Sequence, residues 1–325
     1  MPRLLFLSRQ YIIKEGSYAV LPLKTPCQNR CVFCRDKSIN APLDKFRDFE
    51  PLDKLKLKVR LAAKKGARTV LMTGSDCLNH PWLPEMISYI HSLGLKVRLE
   101  TPGIKLKDRS FLKNIMDCGA DSFYLPIYAS TAALHDFIVA RQGAFEELRQ
   151  AMDNLRAAGL RVHLSAIILK QNYLHLDPLL RFMHRNYPGF FFKLRHLRPF
   201  SDSLLTYRSF MPGYGALIPA LKSALALHRK LYFKSDDFLK RFSFFIGDIL
   251  FSLPVCVLAK VEPGLLRYTR TLSEEKTVSR IFSFSRRLKM DFCQRCSAAN
   301  ICGGIDSVYA RSYGVNEFAG LAKKK

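Results

Sequence analysis

The chain has 325 residues, 48% of them hydrophobic, enough for one large barrel or two ordinary domains and too apolar for a disordered class. Lys and Arg number 52 against 27 Asp and Glu, a formal net charge of +25, which excludes an acidic surface and admits an anionic or nucleic-acid partner. No basic run exceeds the terminal "KKK", so the charge by itself assigns no nucleic-acid function.

In chain order, "MPRLLFLSRQYIIKEG" is interrupted by charge at once and does not make a signal peptide. "AVLPL" is a strand that ends just before Cys27. "PLDKLKLKVRLAAKKG" is helical, "RTVLMT" a strand, and "PWLPEMISYIHSLG" a helix with proline near its start and Gly94 at its end. "LKVRLE" and "DRSFLKNIMDCG" form the next strand and helix, and "DSFYLPIY" a fourth strand. In "GAFEELRQAMDNLRAAG", Phe145, Leu148, Met152 and Leu155 share one helical face. "LRVHLSAIIL" and "GFFFKLRHL" are the fifth and sixth strands, with the helix "LHLDPLLRFMHRN" between them.

Six strand–helix units in series predict a parallel sheet with right-handed crossovers, an α/β fold with a partial (β/α)6 barrel. Sites in such sheets lie at the C-terminal strand ends, where Cys27 falls. The alternation fails after "LRPFSDS", which places a boundary near residue 200: a barrel over 1–200 and a smaller cysteine-rich α+β domain over 201–325. That second part holds the helix "ALIPALKSALALHRKLY" and the apolar stretch 242–259. Asp248 and Pro254 inside the stretch argue for a buried strand or core helix rather than a membrane span.

Nine cysteines without a secretion signal favour metal or redox chemistry over disulfides, in a cytoplasmic setting. Cys27, Cys31 and Cys34 lie within eight residues in "TPCQNRCVFCRD". Three thiolates are one short of a structural zinc or a fully ligated cluster. A four-iron cluster on three thiolates leaves one iron open to an outside ligand, whereas a zinc knuckle would take Cys77 as its fourth. The second group, Cys293, Cys296 and Cys302, has C-x2-C-x5-C spacing followed by Gly303 and Gly304, which suits a turn wrapped around a cluster or a zinc ion.

"CQNRCVFC", with Phe33 before its last cysteine, resembles the CxxxCxxC motif of the radical SAM superfamily. "TGSDCLNHP" (73–81) resembles the family's TGGEPLLHP-like segment, with Gly74 and Ser75 on the glycine pair and Asp76 on the glutamate; Ser75 and Cys77 depart from the pattern. "LETPG" (99–103), "HDFIVARQGAFEELRQAMDNLRAAG" (135–159), Ser165 and "RHL" (195–197) resemble later family segments in the correct order. "DFCQRCSAANICGGIDSVYARSYG" (291–314) resembles the auxiliary-cluster region of SPASM and twitch domains.

The resemblance implies S-adenosylmethionine as cofactor and a [4Fe–4S] cluster on Cys27, Cys31 and Cys34. It places Phe33, Gly74, Ser75, Asp76, Glu100, Ser165 and His196 around S-adenosylmethionine. Glu100 is equally open to ribose binding or to solvent, and Asp76 is by type also a helix N-cap, a reading that the family match outweighs. The resemblance also implies a second [4Fe–4S] cluster on Cys256, Cys293, Cys296 and Cys302. Implied partners are a peptide, protein or small-molecule substrate and an electron donor such as a flavodoxin or ferredoxin, with nucleic acid as an alternative substrate and no membrane. Tyr128 is a candidate for the substrate cavity. Tyr309 and Tyr313 read as packing beside the second cluster, His135 and Asp136 as packing or capping, and Cys118 as a buried small hydrophobe.

Overall fold

The structure is a computed structural model that describes residues 5–6, 12–13, 18–34, 45–197, 204–234, 245–249, 252–265 and 287–318. One eight-stranded sheet runs in chain order: β1 (Leu5–Phe6), β2 (Ile12–Ile13), β3 (Ala19–Leu23), β4 (Thr69–Gly74), β5 (Lys96–Glu100), β6 (Ala120–Pro126), β7 (Arg161–Ile168) and β8 (Phe191–His196). The six strands expected from the alternation are β3 to β8, and they form the partial barrel. The antiparallel β1 and β2 were not anticipated, because two residues are too few to show a period. The parallel register places Ala19 opposite Val70, Val70 opposite Val97, and Leu99 opposite Phe123, and it shifts by one residue between Val97, opposite Ala120, and Arg98, opposite Ser122.

The chain divides into two compact units, Met1–Ile127 with Thr131–Leu164, and Tyr128–Ser130 with Ser165–Lys325. The first unit contains helices α1 (Leu52–Lys64), α2 (Leu83–Ser92), α3 (Arg109–Asp117), α4 (Ala132–Val139) and α5 (Ala144–Ala157). Leu21, Val70, Met72, Val97, Leu99, Phe123 and Leu125 are wholly buried on the helix side of the strands, as period-2 alternation requires. Asp108 caps α3 by accepting from the backbone of Ser110 (2.8 Å) and Phe111 (3.3 Å). Asp136 leaves α4 to accept from Gly143 (2.6 Å) and Phe145 (2.7 Å), so it caps α5, and His135 is buried against Phe145. Phe145, Leu148, Met152 and Leu155 are all buried, as their shared face demands. Cys118 is only half-buried at the end of α3, less than its small apolar side chain led one to expect.

The second unit holds α6 (Leu176–Asn186), α7 (Leu204–Phe210), α8 (Tyr214–Tyr232), α9 (Val255–Val261), β9 (Arg287–Leu288), α10 (Asp291–Gln294), β10 (Ile305–Asp306) and α11 (Ser307–Tyr313). The apolar stretch 242–259 is helical where described, at 245–249 and in α9, and not a strand. Pro254 starts α9, and Asp248 turns inward to accept the His196 backbone N–H at 2.9 Å. Among the described residues no helix is long and apolar enough to cross a membrane.

Candidate functional site

The three-cysteine loop leaves the C-terminal end of β3 and is held by α4. The last carbonyls of a helix have no partner inside it. Two of those of α4 are taken by the loop: Arg30 N–H donates to Val139 (2.9 Å) and Val32 N–H to Ile138 (2.9 Å). Arg141 then donates to the Asn29 side chain at 2.7 Å and pairs with Glu147 at 2.5 Å, tying the loop to α5 as well. Within the loop, Cys34 N–H closes a turn on the Cys31 carbonyl at 2.8 Å.

Burial pushes the Cys27 thiol up to about 12, with the Asp76 carboxylate and the other two thiols adding to it. Burial and Cys34 push Cys31 up to about 12 as well. Mutual opposition to ionisation means the three thiols lie within electrostatic reach of one another, and such a set becomes thiolate only against a positive centre. Among the described residues no three His, Cys, Asp or Glu side chains converge as a single-ion site. Cys77 is fully buried, and its thiol donates to the Glu100 carbonyl at 3.3 Å, which takes it away from the zinc-knuckle arrangement.

The second wall is the turn after β4. Gly74 has φ +148°, and a Cβ there would stand 2.2 Å from the Leu23 carbonyl oxygen, so only glycine lets β4 pass β3 at this point. Asp76 follows, 1% exposed. Its backbone N–H donates to the Thr25 hydroxyl (3.3 Å), and its carboxylate accepts from Leu78 N–H (3.2 Å), the Thr101 hydroxyl (2.7 Å) and the Asn79 amide (3.3 Å). It therefore caps the 3-10 turn Cys77–Asn79. Burial raises it to about 6, while the hydrogen bonds from Thr101 and Leu78 and the charge of Lys105 pull the other way. Asn79 also donates to the Pro26 carbonyl at 2.9 Å, so the turn and the cysteine loop are stitched directly. Glu100, at the end of β5, accepts from the Thr73 hydroxyl at 2.5 Å. Ser75 and Phe33 are half-buried.

The first unit thus brings together Cys27, Cys31, Cys34, Gly74, Asp76 and Glu100. Ser165 and His196 belong to the second unit, both buried. The Tyr214 hydroxyl lies 3.4 Å from the His196 ring nitrogen Nε2. Tyr128 is buried, and its carbonyl accepts from Asn172 at 3.1 Å. Sequence reasoning passed over Thr25 and Thr101, whose hydroxyls fix Asp76. Thr101 lies in "LETPG", where no spacing or period marks a hydroxyl as a partner for Asp76.

In the second unit, the Val255 N–H and the Gly304 N–H each donate to Cys302 Sγ at 3.4 Å. The first contact brings α9, and with it the adjacent Cys256, to the C-x2-C-x5-C segment. Gly304 has φ +96°, and a Cβ there would meet the Leu288 carbonyl at 2.5 Å, so the turn after Cys302 demands glycine. Cys293 lies on α10, and Cys296 N–H closes on the Cys293 carbonyl at 3.2 Å.

The radical SAM superfamily model matches residues 24–183. The chain belongs to the radical SAM superfamily of enzymes. The radical SAM match begins at the residue after β3 and ends inside α6, so it contains the three-cysteine loop and Ser165 and stops short of His196 and the four C-terminal cysteines. The chain is similar to molybdenum cofactor biosynthesis protein 1 of Mus musculus, 25% identical over 173 residues, covering 52% of this chain and 26% of that protein. It is also similar to GTP 3',8-cyclase of Mesorhizobium japonicum, 29% identical over 176 residues, covering 52% of this chain and 51% of that enzyme. The chain spans about half, or less, of the length of the curated relatives it matches. In fold it is similar to native anSMEcpe with bound AdoMet and Kp18Cys peptide, with a TM-score of 0.62, 12% identity, and coverage of 94% of this chain and 93% of that one.

Proposed function

We propose that the chain holds a [4Fe–4S] cluster on Cys27, Cys31 and Cys34 and binds S-adenosylmethionine at its open iron. Bound together, they would supply reductive cleavage of the sulfonium and a 5′-deoxyadenosyl radical that abstracts hydrogen from a substrate. The carrying observation is the loop itself: three thiols at the C-terminal end of the first barrel strand, pinned to α4 and to the Asp76 turn, inside the stretch that matches the superfamily. Phe33 flanks the last cysteine. Gly74 and Ser75 offer backbone at a strand end where a ligand can approach closely, and Asp76 holds that backbone in place. Glu100, Ser165 and His196 complete the set assigned to S-adenosylmethionine.

Residues 1–200 form the radical SAM core in this reading, and 201–325 a SPASM- or twitch-like region. Cys256, Cys293, Cys296 and Cys302 hold a second [4Fe–4S] cluster, supported by the Val255-to-Cys302 contact. Four protein ligands leave no iron open, so its role is electron transfer or structure. The substrate is a peptide, a protein or a small molecule, and a flavodoxin or ferredoxin supplies electrons. A peptide accompanies AdoMet in anSMEcpe, and GTP appears in the name of the cyclase relatives.

The test is anaerobic reconstitution with iron and sulfide, then chromatographic detection of 5′-deoxyadenosine from S-adenosylmethionine. Replacing any of Cys27, Cys31 or Cys34 with Ala abolishes it. Cleavage retained in the triple variant ends the reading. A reconstituted wild type that binds iron and never cleaves is an iron–sulfur scaffold or electron carrier instead.

A further inference from the structure

A packed parallel barrel fills its interior with layers of bulky branched side chains. Val20 and Leu71, in register with Arg98, keep that pattern on β3 and β4, but the inward positions of β5 to β7 carry something else. On β5 they are Arg98 and Glu100, since Val97 and Leu99 are fully buried on the helix side. On β6 they are Ser122 and Tyr124, since Phe123 and Leu125 face the helices. By the same alternation β7 offers Arg161 and His163. Contacts confirm the shared face: Arg98 Nε donates to the Ser122 hydroxyl at 3.2 Å, and the Tyr124 and His163 rings stack at 6.3 Å and 10°. Two layers result. Glu100, Tyr124 and His163 lie toward the cysteine loop. Arg98, Ser122 and Arg161 lie one strand repeat further in, about 7 Å away.

The inner layer holds two guanidiniums and no acid. Arg98 is half-buried, and neither it nor Arg161 forms an ion pair among the described residues. Burial lowers the Arg98 guanidinium from its ordinary value and the charge of Arg161 lowers it further, opposed by the phenols of Tyr124 and Tyr18. A partly buried cation facing a second cation is costly unless an anion joins them. Arg presents a planar fork of donors that matches a carboxylate or phosphate in a bidentate way. Nε of Arg98 is held by Ser122, which leaves its two terminal nitrogens for such a ligand.

We propose that Arg98 and Arg161 form an oxyanion subsite on the inner wall of the barrel, which grips a carboxylate or phosphate group of the substrate. This rests on the reading of the barrel interior as the substrate cavity of a radical SAM enzyme. A ligand anchored there extends about 7 Å along the strands toward the Glu100 layer and the cysteine loop.

The experiment is isothermal titration of the full-length protein at low salt, without S-adenosylmethionine, using pyrophosphate and malonate as separate probes. Wild type and the surface control Lys64→Gln bind at least one probe, and both Arg98→Gln and Arg161→Gln bind it at least tenfold more weakly. Arg98→Lys keeps part of the affinity. A preference for pyrophosphate assigns a phosphate-bearing substrate, and a preference for malonate a carboxylate-bearing one. Arg161 is exposed, so its variant keeps the test decisive if Arg98→Gln fails to fold. Equal affinity in wild type and both arginine variants, or no binding of either probe to wild type, overturns the subsite. Deoxyadenosine formation measured on the same preparations separates the two ideas: arginine-dependent anion binding without cleavage leaves the subsite standing and removes the enzymatic reading.

Discussion

Gly74→Ala is the sharpest test of how β3 and β4 hold the cysteine loop. The new Cβ would stand 2.2 Å from the Leu23 carbonyl oxygen and 3.2 Å from its carbon, both backbone atoms that no side-chain rotation can move away. The position also has φ +148°, a region that costs a side chain on the order of 1–3 kcal/mol. Forcing an extra methyl into a packed contact adds about 1–3 kcal/mol. Together they predict a loss of about 2–6 kcal/mol, or about 3–9 °C in melting temperature for a chain of this size. Gly94→Ala is the control. It too has a positive φ, +71°, but nothing lies within 4 Å of its added Cβ, so it bears only the backbone cost of about 1 kcal/mol. The assay is thermal unfolding of the two variants side by side, with iron content after reconstitution as a second readout. Leu23 is four residues from Cys27, so displacement of β3 lowers iron binding as well. If Gly74→Ala melts within about 1 °C of Gly94→Ala, the close approach of the two strands is wrong.

Three further expectations follow from particular contacts. Burial lowers His135 to about 4 from an ordinary 6.5, so between these values the unfolded chain binds a proton that the folded one does not; stability is full above pH 6.5, is lost as pH falls to 4, and amounts to about 3 kcal/mol. His80 shows the same shift and Asp76, raised to about 6, works in the opposite direction, so His135→Gln removes about one proton from the pH dependence of unfolding between pH 4 and 6.5, and an unchanged slope refutes the assignment. Replacing Cys256, Cys293, Cys296 and Cys302 with Ala lowers iron from about eight to about four per chain, as measured by metal analysis; zinc at this site in the wild type counts against the second cluster. The Tyr309 hydroxyl donates to the Glu317 carboxylate and accepts the Tyr214 N–H at 2.6 Å, so Tyr309→Phe costs about 1.5–3 kcal/mol, and a melting temperature equal to wild type contradicts that geometry.

The six parallel strands were legible from the helices and the glycine or proline boundaries around them, and burial alternates along β3, β4, β5 and β8, whereas β6 and β7 are buried on both faces over most of their length. The hairpin of β1 and β2 was not, since its strands are two residues each. The apolar run before Cys256 was ambiguous between strand and helix because continuous apolarity has no period; Pro254 settles it by starting a helix there. Cysteine spacing marked both thiol groups, but not what holds the first one. That depends on α4 carbonyls and on Arg141 reaching Asn29 across 112 residues, which no local pattern encodes. The polar barrel interior was equally hidden: Arg98 alternates correctly in "LKVRLE", but only the strand pairing puts it beside Ser122 and within reach of Arg161.

Asp76 stands at the glutamate position of the TGGEPLLHP-like segment that residues 73–81 resemble, and the difference has a physical consequence. An aspartate carboxylate reaches its own backbone two residues on, which glutamate does less well. Here that contact is made to Leu78, Thr101 donates to the same oxygen, and Asn79 donates to the other, on a side chain that is 1% exposed. In the site proposed above, Asp76 would act on S-adenosylmethionine by fixing the turn after β4 through Leu78, Thr101 and Asn79. Asp76→Ala removes the cap, costs about 0.5–2 kcal/mol of stability, and weakens S-adenosylmethionine binding at least tenfold while iron content stays at the wild-type level. Asp76→Asn keeps an acceptor for Leu78 and Thr101 and holds the affinity within about threefold, a difference under about 0.7 kcal/mol. Equilibrium binding of S-adenosylmethionine to the reconstituted proteins reads both. Asp76→Asn binding as weakly as Asp76→Ala would show that the charge contacts the cofactor directly, and equal affinity in all three proteins would take Asp76 out of the site.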